Sequence, residues 1–278
     1  MSENRILAVI DPTRDEQWAL QKAVSIGGRQ QGTTVFAYLC VHSNAKCDDP
    51  ERLREVELRR TRPWLEKIVS DFAEADVAIE PLLGWRADWR RAVSDAAQAV
   101  GAQLVIKRAS GRPSSLSNSD RQLIRSLKDS ALLLIKHDPV SALHKVVVAI
   151  DLNARDEAHV ALNNAIMALG KRVRGDDTDI ELHAISAYPT SDRFVHPPDV
   201  AKILEIKRSH AHVSRGVAAD VIPRMANSID ADLVILGNVG RQGLSGLTVG
   251  NTAEKILTDI KADVLVLVQE VAESIKAA

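Results

Sequence analysis

The sequence predicts an α/β protein built from two tandem, doubly wound, parallel-sheet domains. Three observations carry this. Short apolar runs alternate with amphipathic helical stretches along the 278 residues. The runs are apolar at consecutive positions rather than at alternate ones, which is the pattern of strands buried on both faces. The first half of the chain also repeats in the second.

The repeat rests on three matched segments. RILAVID at Arg5–Asp11 resembles KVVVAID at Lys145–Asp151, at an offset of 140. AQLVIK at Ala102–Lys107 resembles ADLVIL at Ala231–Leu236, at an offset of 129. KDSALLLI at Lys128–Ile135 resembles KADVLVLV at Lys261–Val268, at an offset of 133. Their order is the same in both halves. The join falls in His137–His144, HDPVSALH, where a proline separates one apolar run from the next. The expected domains are therefore 1–142 and 143–278.

Each half supplies five strand candidates, enough for a five-stranded Rossmann-like sheet. In the first half they are Ile6–Ile10, Val35–Val41, Leu104–Ile106, Ala131–Ile135 and a weaker run at Val77–Leu83. In the second they are Val146–Ile150, Ile180–Ile185, Leu233–Leu236, Val264–Val268 and a poor candidate near His212–Val213. Leu65, Ile68, Val69 and Phe72 share one face at helical spacing, as do Leu162, Ile166 and Leu169. In such sheets ligands sit at the carboxyl ends of the strands, beside the point where strand order reverses. That directs attention to Asp11 and Asp151, and to the loops after Ile106 and Leu236.

Composition excludes several classes. Hydrophobic residues make up 45% and charged residues 26%, so each half can bury a core of its own. Split at residue 140, the halves carry +2 and −3, without the basic excess of a nucleic-acid binder. Two cysteines, Cys40 and Cys47, do not make a disulfide framework, and Cys40 in FAYLCV reads as a small buried hydrophobe. No apolar run approaches the ~18 residues of a membrane span. MSENRILAVID lacks the layout of a signal peptide, so a cytoplasmic protein is expected.

The loop after Leu236 reads GNVGRQGLSGLTVGNTAEKIL and holds five of the 14 glycines: Gly237, Gly240, Gly243, Gly246 and Gly250. Glycine tolerates positive φ and lets backbone amides approach an anion closely. A helix should come next, with Asn251 as its cap and Glu254 three residues on. Its free N–H groups and dipole favour a phosphate, and Thr252 adds a hydroxyl. No lysine stands after a glycine at the helix start, so this is not a Walker loop. Nor is it the dinucleotide fingerprint, which belongs after a first strand.

Gly237, two residues, Gly240, nine residues, Gly250 and a small polar residue resembles the G-2x-G-9x-G-[S/T] motif of the ATP-binding members of the universal stress protein family. The resemblance spans the chain as two copies. It implies a fold with ATP, accompanied by magnesium, in the second copy and at most slow hydrolysis. It assigns phosphate binding to Gly237, Gly240, Gly250, Asn251 and Thr252. It assigns a nucleoside contact to Asp151, and gives Ala184, in the pair His183–Ala184, a place against adenine. Asn251 departs from the family's hydroxyl. The resemblance also implies that the last strand of each copy, Ala131–Ile135 and Val264–Val268, pairs with the other, making an internal pseudo-dimer. Protein partners and a second copy of the chain are further candidate partners.

The matching loop of the first half, KRASGRPSSLSNSDRQLIR, has one glycine, Gly111, and lacks the motif. Arg108, Arg112 and Arg121 give it an anion or partner reading, against which stands a solvated, decayed loop. GWRADWRRAV at Gly84–Val93 mixes Trp85 and Trp89 with arginines, a base-stacking composition; the absence of net basic charge favours a helix start instead. His196, His210 and His212 lie near Asp192 and Asp199, but no third ligand has convincing spacing, so no metal centre is expected. No nucleophile elbow, metalloprotease motif or Cys-His pairing suggests catalysis. The rival readings are a scaffold for a hydrophobic small molecule or protein, and a nucleotidyl transferase of the same broad fold.

Overall fold

The computed structural model describes residues 4–41, 48–86, 89–110, 117–139, 141–238, 251–268 and 271. The chain forms two compact units, Met1–Arg108 with Asp138–Val140, and Ala109–His137 with Ser141–Ala278.

The first unit contains β1 (Asn4–Val9), α1 (Trp18–Gly27), β2 (Thr33–Val41), α2 (Pro50–Ser70), β3 (Ala78–Trp85), α3 (Trp89–Val100) and β4 (Leu104–Arg108). Its strands run in the order β3-β2-β1-β4, all parallel, with Ile6 opposite both Val35 and Leu104. Leu7, Ala8, Val105 and Ile106 are fully buried, as strands covered on both faces must be. Weak β3 lies at the end of this order and is partly exposed along its length, which explains its diluted apolar pattern. Tyr38 lies so close over Gly84 that a Cβ there would meet its hydroxyl. Arg86, just after β3, pairs with Asp95 at 2.7 Å rather than standing as part of a basic stripe.

The second unit contains α4 (Asn118–Ser126), β5 (Ala131–Ile135), β6 (Lys145–Ala149), α5 (Glu157–Arg174), β7 (Glu181–Tyr188), α6 (Pro197–Leu204), β8 (Ala211–Arg215), α7 (Ala218–Ser228), β9 (Leu233–Asn238), α8 (Asn251–Asp259) and β10 (Asp263–Val268). The strand order is β5-β10-β9-β6-β7-β8. From β8 to β9 it repeats the order of the first unit, and the pairings from β8 to β10 are parallel. β5 joins antiparallel on β10, with Leu133 opposite Leu265. The two last strands thus meet as the tandem resemblance implies. The pairing removes two apolar edges that would otherwise be open to association, and all of β5 is buried.

The pairing is tied down by side chains. Asp263 accepts the backbone N–H of Lys136 at 2.7 Å and of His137 at 3.1 Å. The Lys136 ammonium donates to the carbonyls of Leu257 and Ile260, capping the end of α8.

Candidate functional site

Strand order reverses between β6 and β9, which pair with Val148 opposite Ile235. Two of the sequence-predicted site residues lie where those strands end. Asp151 lies just past β6, and Gly237 is the penultimate residue of β9. A ligand seated at this switch point would meet both.

Asp151 is held in place. Its Oδ1 accepts the backbone N–H of Asn153 at 2.9 Å, an Asx turn. The side chain of Asn163, on α5, accepts from the Asp151 N–H at 3.1 Å and donates to its carbonyl at 2.6 Å. The turn closes with Ala154 N–H donating to the Asp151 carbonyl. The carboxylate is exposed to solvent and its backbone is fixed, the arrangement a ribose acceptor needs. Asn163 escaped sequence reasoning because it sits twelve residues downstream, in a helix with no motif of its own.

Asp11 repeats the turn. Its Oδ1 accepts from the Thr13 N–H at 3.0 Å and the Thr13 hydroxyl at 2.6 Å. Gln17 performs the clasp, accepting from Asp11 N–H at 3.0 Å and donating to the Asp11 carbonyl at 2.9 Å. The two copies diverge at the end of β4. Arg108 occupies the position that Gly237 holds in the second copy, at the offset of 129. Its guanidinium carbon lies 3.4 Å above the centre of the Trp18 ring, a cation–π contact. Burial and the neighbouring Arg14 lower its pKa.

The basic loop of the first copy feeds α4, whose N-terminus is closed from within. Asp120 is fully buried. One of its carboxylate oxygens accepts from the Ser110 N–H at 2.9 Å and the Ser117 hydroxyl at 2.8 Å. Ser117 caps the helix by accepting from Asp120 N–H. A carboxylate of the chain lies at this helix N-terminus, where an anion is favoured. Arg121 donates to the Thr258 hydroxyl at 3.2 Å. Arg112 and Gly111 lie outside the described residues.

In the second copy, Asn251 and Thr252 lie in α8, at the N-terminal end of its described residues. Gly240 and Gly250 lie outside the described residues. Gly237 has a packing role of its own. A Cβ there would come within 2.3 Å of Leu162 Cδ2 on α5, so glycine is needed for the helix to lie this close. Ala184 is fully buried in mid-β7, opposite Val148 and Ala211.

The histidines gather differently from the sequence expectation. His210 and His212 meet His183 and Glu181, not His196, Asp192 and Asp199. His183 Nδ1 lies 3.0 Å from His212 Nε2, and His183 Nε2 lies 3.4 Å from Glu181 Oε2. The His183 ring stacks on His210 with centroids 4.2 Å apart. Burial, reinforced by His210, pushes the His183 pKa down to about 4. His196 packs edge-on against Phe194. Sequence spacing missed the cluster because β7 and β8 lie nearly thirty residues apart and are joined by register alone.

Residues 142–268 match the model of the universal stress protein family. The second half of the chain is a universal stress protein domain. Resemblance to universal stress proteins runs over the rest as well. The chain is 26% identical over 295 residues to universal stress protein E of Escherichia coli K12, covering 94% of this chain and 93% of that one. It is 23% identical to the universal stress protein E homolog of Haemophilus influenzae, covering 95% and 97%. A crystal structure of a functionally unknown protein from Pseudomonas aeruginosa PAO1 superposes with a TM-score of 0.79 at 25% identity, covering 100% of this chain and 98% of that one. A putative universal stress protein from Pseudomonas aeruginosa UCBPP-PA14 gives 0.75 at 24% identity, covering 99% and 97%, and shares the fold. The fold of the whole chain is thus present in full-length solved structures. No described helix is long and apolar enough to cross a membrane.

Proposed function

We propose that the second universal stress protein domain binds ATP, or a related adenine nucleotide, at the carboxyl ends of β6 and β9, and that the protein is a cytoplasmic regulatory or protective factor rather than an enzyme. The observation that carries this reading is the placement of a clasped, exposed Asp151 just past β6 and of the first motif glycine, Gly237, near the end of β9, the two strands flanking the switch point. Asp151 would accept from a ribose hydroxyl. Gly237, Gly240, Gly250, Asn251 and Thr252 would hold phosphates around the start of α8. Ala184 would back the adenine from beneath. Magnesium would arrive on the triphosphate, with Asp151 kept for the ribose.

The domains are proposed to divide at 1–142 and 143–278. On that division the first copy is a structural partner. Its Gly237 equivalent is Arg108, stacked on Trp18, and its helix N-terminus is supplied by Asp120. A triphosphate held mostly by neutral amides would bind with an affinity in the micromolar range, about −8 kcal/mol.

Isothermal calorimetry of the full chain with ATP tests this directly. One site per chain is expected, weakened about fivefold by Thr252→Val, the loss of roughly one hydrogen bond of about 1 kcal/mol. Two sites would overturn the asymmetry. Absence of measurable binding, or an affinity unchanged in both Thr252→Val and Asp151→Ala, would overturn the nucleotide reading.

A further inference from the structure

We propose that Glu181, His183 and His210 form a binding site for a single divalent transition-metal ion of borderline softness, zinc foremost, with His212 as the residue that positions His183. The site is separate from the switch point and does not depend on nucleotide binding.

Its geometry begins with the strand. Glu181 and His183 are two apart on β7 and project to the same face. β8 pairs parallel to β7 with Ala184 opposite Ala211, which brings the residue before β8, His210, beside His183. One ligand atom from each of Glu181, His183 and His210 lies within 4.8 Å of the others. The Glu181–His183 separation of 3.4 Å is long for a charge-assisted hydrogen bond. It matches the spacing of two donors on one tetrahedral ion with bonds of about 2.0–2.2 Å.

The second nitrogen of His183 is engaged. His183 Nδ1 faces His212 Nε2 at 3.0 Å. With the Nδ1 proton donated to His212, Nε2 of His183 presents its lone pair toward Glu181. Such an outer partner is what fixes tautomer and ring orientation in metal-ligating histidines. His210 ends the 3-10 turn Arg208–His210 and is half-buried. Its ring stacks on His183 at an interplanar angle of 18°, so ligation requires it to turn out of the stack toward the shared point. The turn, rather than a strand interior, carries that movement.

The donor set decides the ion. Two imidazoles and one carboxylate suit zinc, cobalt, nickel or copper, whereas magnesium and calcium prefer oxygen cages. Burial falls from His183, 8% exposed at its side chain, to Glu181, 44% exposed. The ion therefore enters from the Glu181 side and keeps a fourth position open to water, as sites with three protein ligands do.

The test uses the full, tag-free, nucleotide-free chain titrated with Co²⁺, monitored by visible absorption, and with Zn²⁺ in competition. One equivalent with the strong absorption of four-coordinate cobalt is expected. Glu181→Gln and His210→Ala, at exposed and half-buried positions that leave the core intact, should each weaken Zn²⁺ binding at least tenfold. His212→Ala should weaken it by about 10–100-fold through lost orientation of His183. Zn²⁺ should raise the unfolding temperature of the parent chain and not that of His210→Ala. Asp151→Ala should bind Zn²⁺ normally. Binding unchanged in both Glu181→Gln and His210→Ala, a weak six-coordinate cobalt spectrum, or loss of binding in Asp151→Ala would each overturn the proposal.

Discussion

The side-chain amide of Asn163 closes on both backbone polar groups of Asp151, at 3.1 and 2.6 Å. A helix residue thereby fixes a loop residue at the carboxyl end of β6, and Gln17 does the same for Asp11. An aspartate so held presents its carboxylate without an ordering cost at the moment of binding.

Asn163→Ala should therefore weaken ATP binding although Asn163 is not assigned to the ligand. Two hydrogen bonds of about 0.5–1.5 kcal/mol each are lost, and part of that cost is borne by the free protein. An affinity loss of roughly tenfold is expected. Calorimetry checks it, with circular dichroism showing the fold retained. Equal affinity in a folded variant would mean that the position of Asp151 does not matter to binding.

Asp120 should stabilise the fold rather than prepare a second ligand site. Its buried carboxylate accepts from the Ser110 N–H and the Ser117 hydroxyl. Hydrogen bonds to a charged group contribute about 1.5–3 kcal/mol each. Asp120→Ala should lower the unfolding free energy by about 3 kcal/mol in urea, while ATP stoichiometry stays at one. A stoichiometry rising to two would show that the carboxylate had been masking a working site.

Lys136 makes stability rise with pH on the alkaline side. Burial lowers its pKa from 10.5 to about 8, against the opposing pull of Asp263 on β10, Asp120 on α4 and Asp259 on α8. Between about 8 and 10.5 the unfolded chain holds a proton that the folded chain has released, so unfolding free energy increases with pH there. The gain is complete above 10.5 and absent below about 8. Its size is on the order of 1–2 kcal/mol once water's access to Lys136 is allowed for. Urea titrations at stepped pH, compared with Lys136→Met, should show the slope only in the parent chain.

The strands were legible where burial is two-sided. Val146–Ile150, Val264–Val268 and Ala131–Ile135 are apolar without interruption because both faces are covered. The poor candidate at His212–Val213 is a real strand, Ala211–Arg215, at the end of its sheet order and partly exposed. Parallel pairing with β7 holds it there, and that is a non-local term absent from its own residues.

The sequence by itself determined the two copies, the alternating strands and helices, and the loop with five glycines, because repeats, burial and backbone freedom are written in local residue choice. Only the tertiary structure decided what stands beside what. Asn163 reaches Asp151 because α5 packs against β6, and Leu162 on the same helix is what forbids a side chain at Gly237. Glu181 and His183 meet His210 and His212 because strand register aligns segments far apart in the chain. Register is fixed by the summed fit of whole strands, so no spacing within either segment could have announced it.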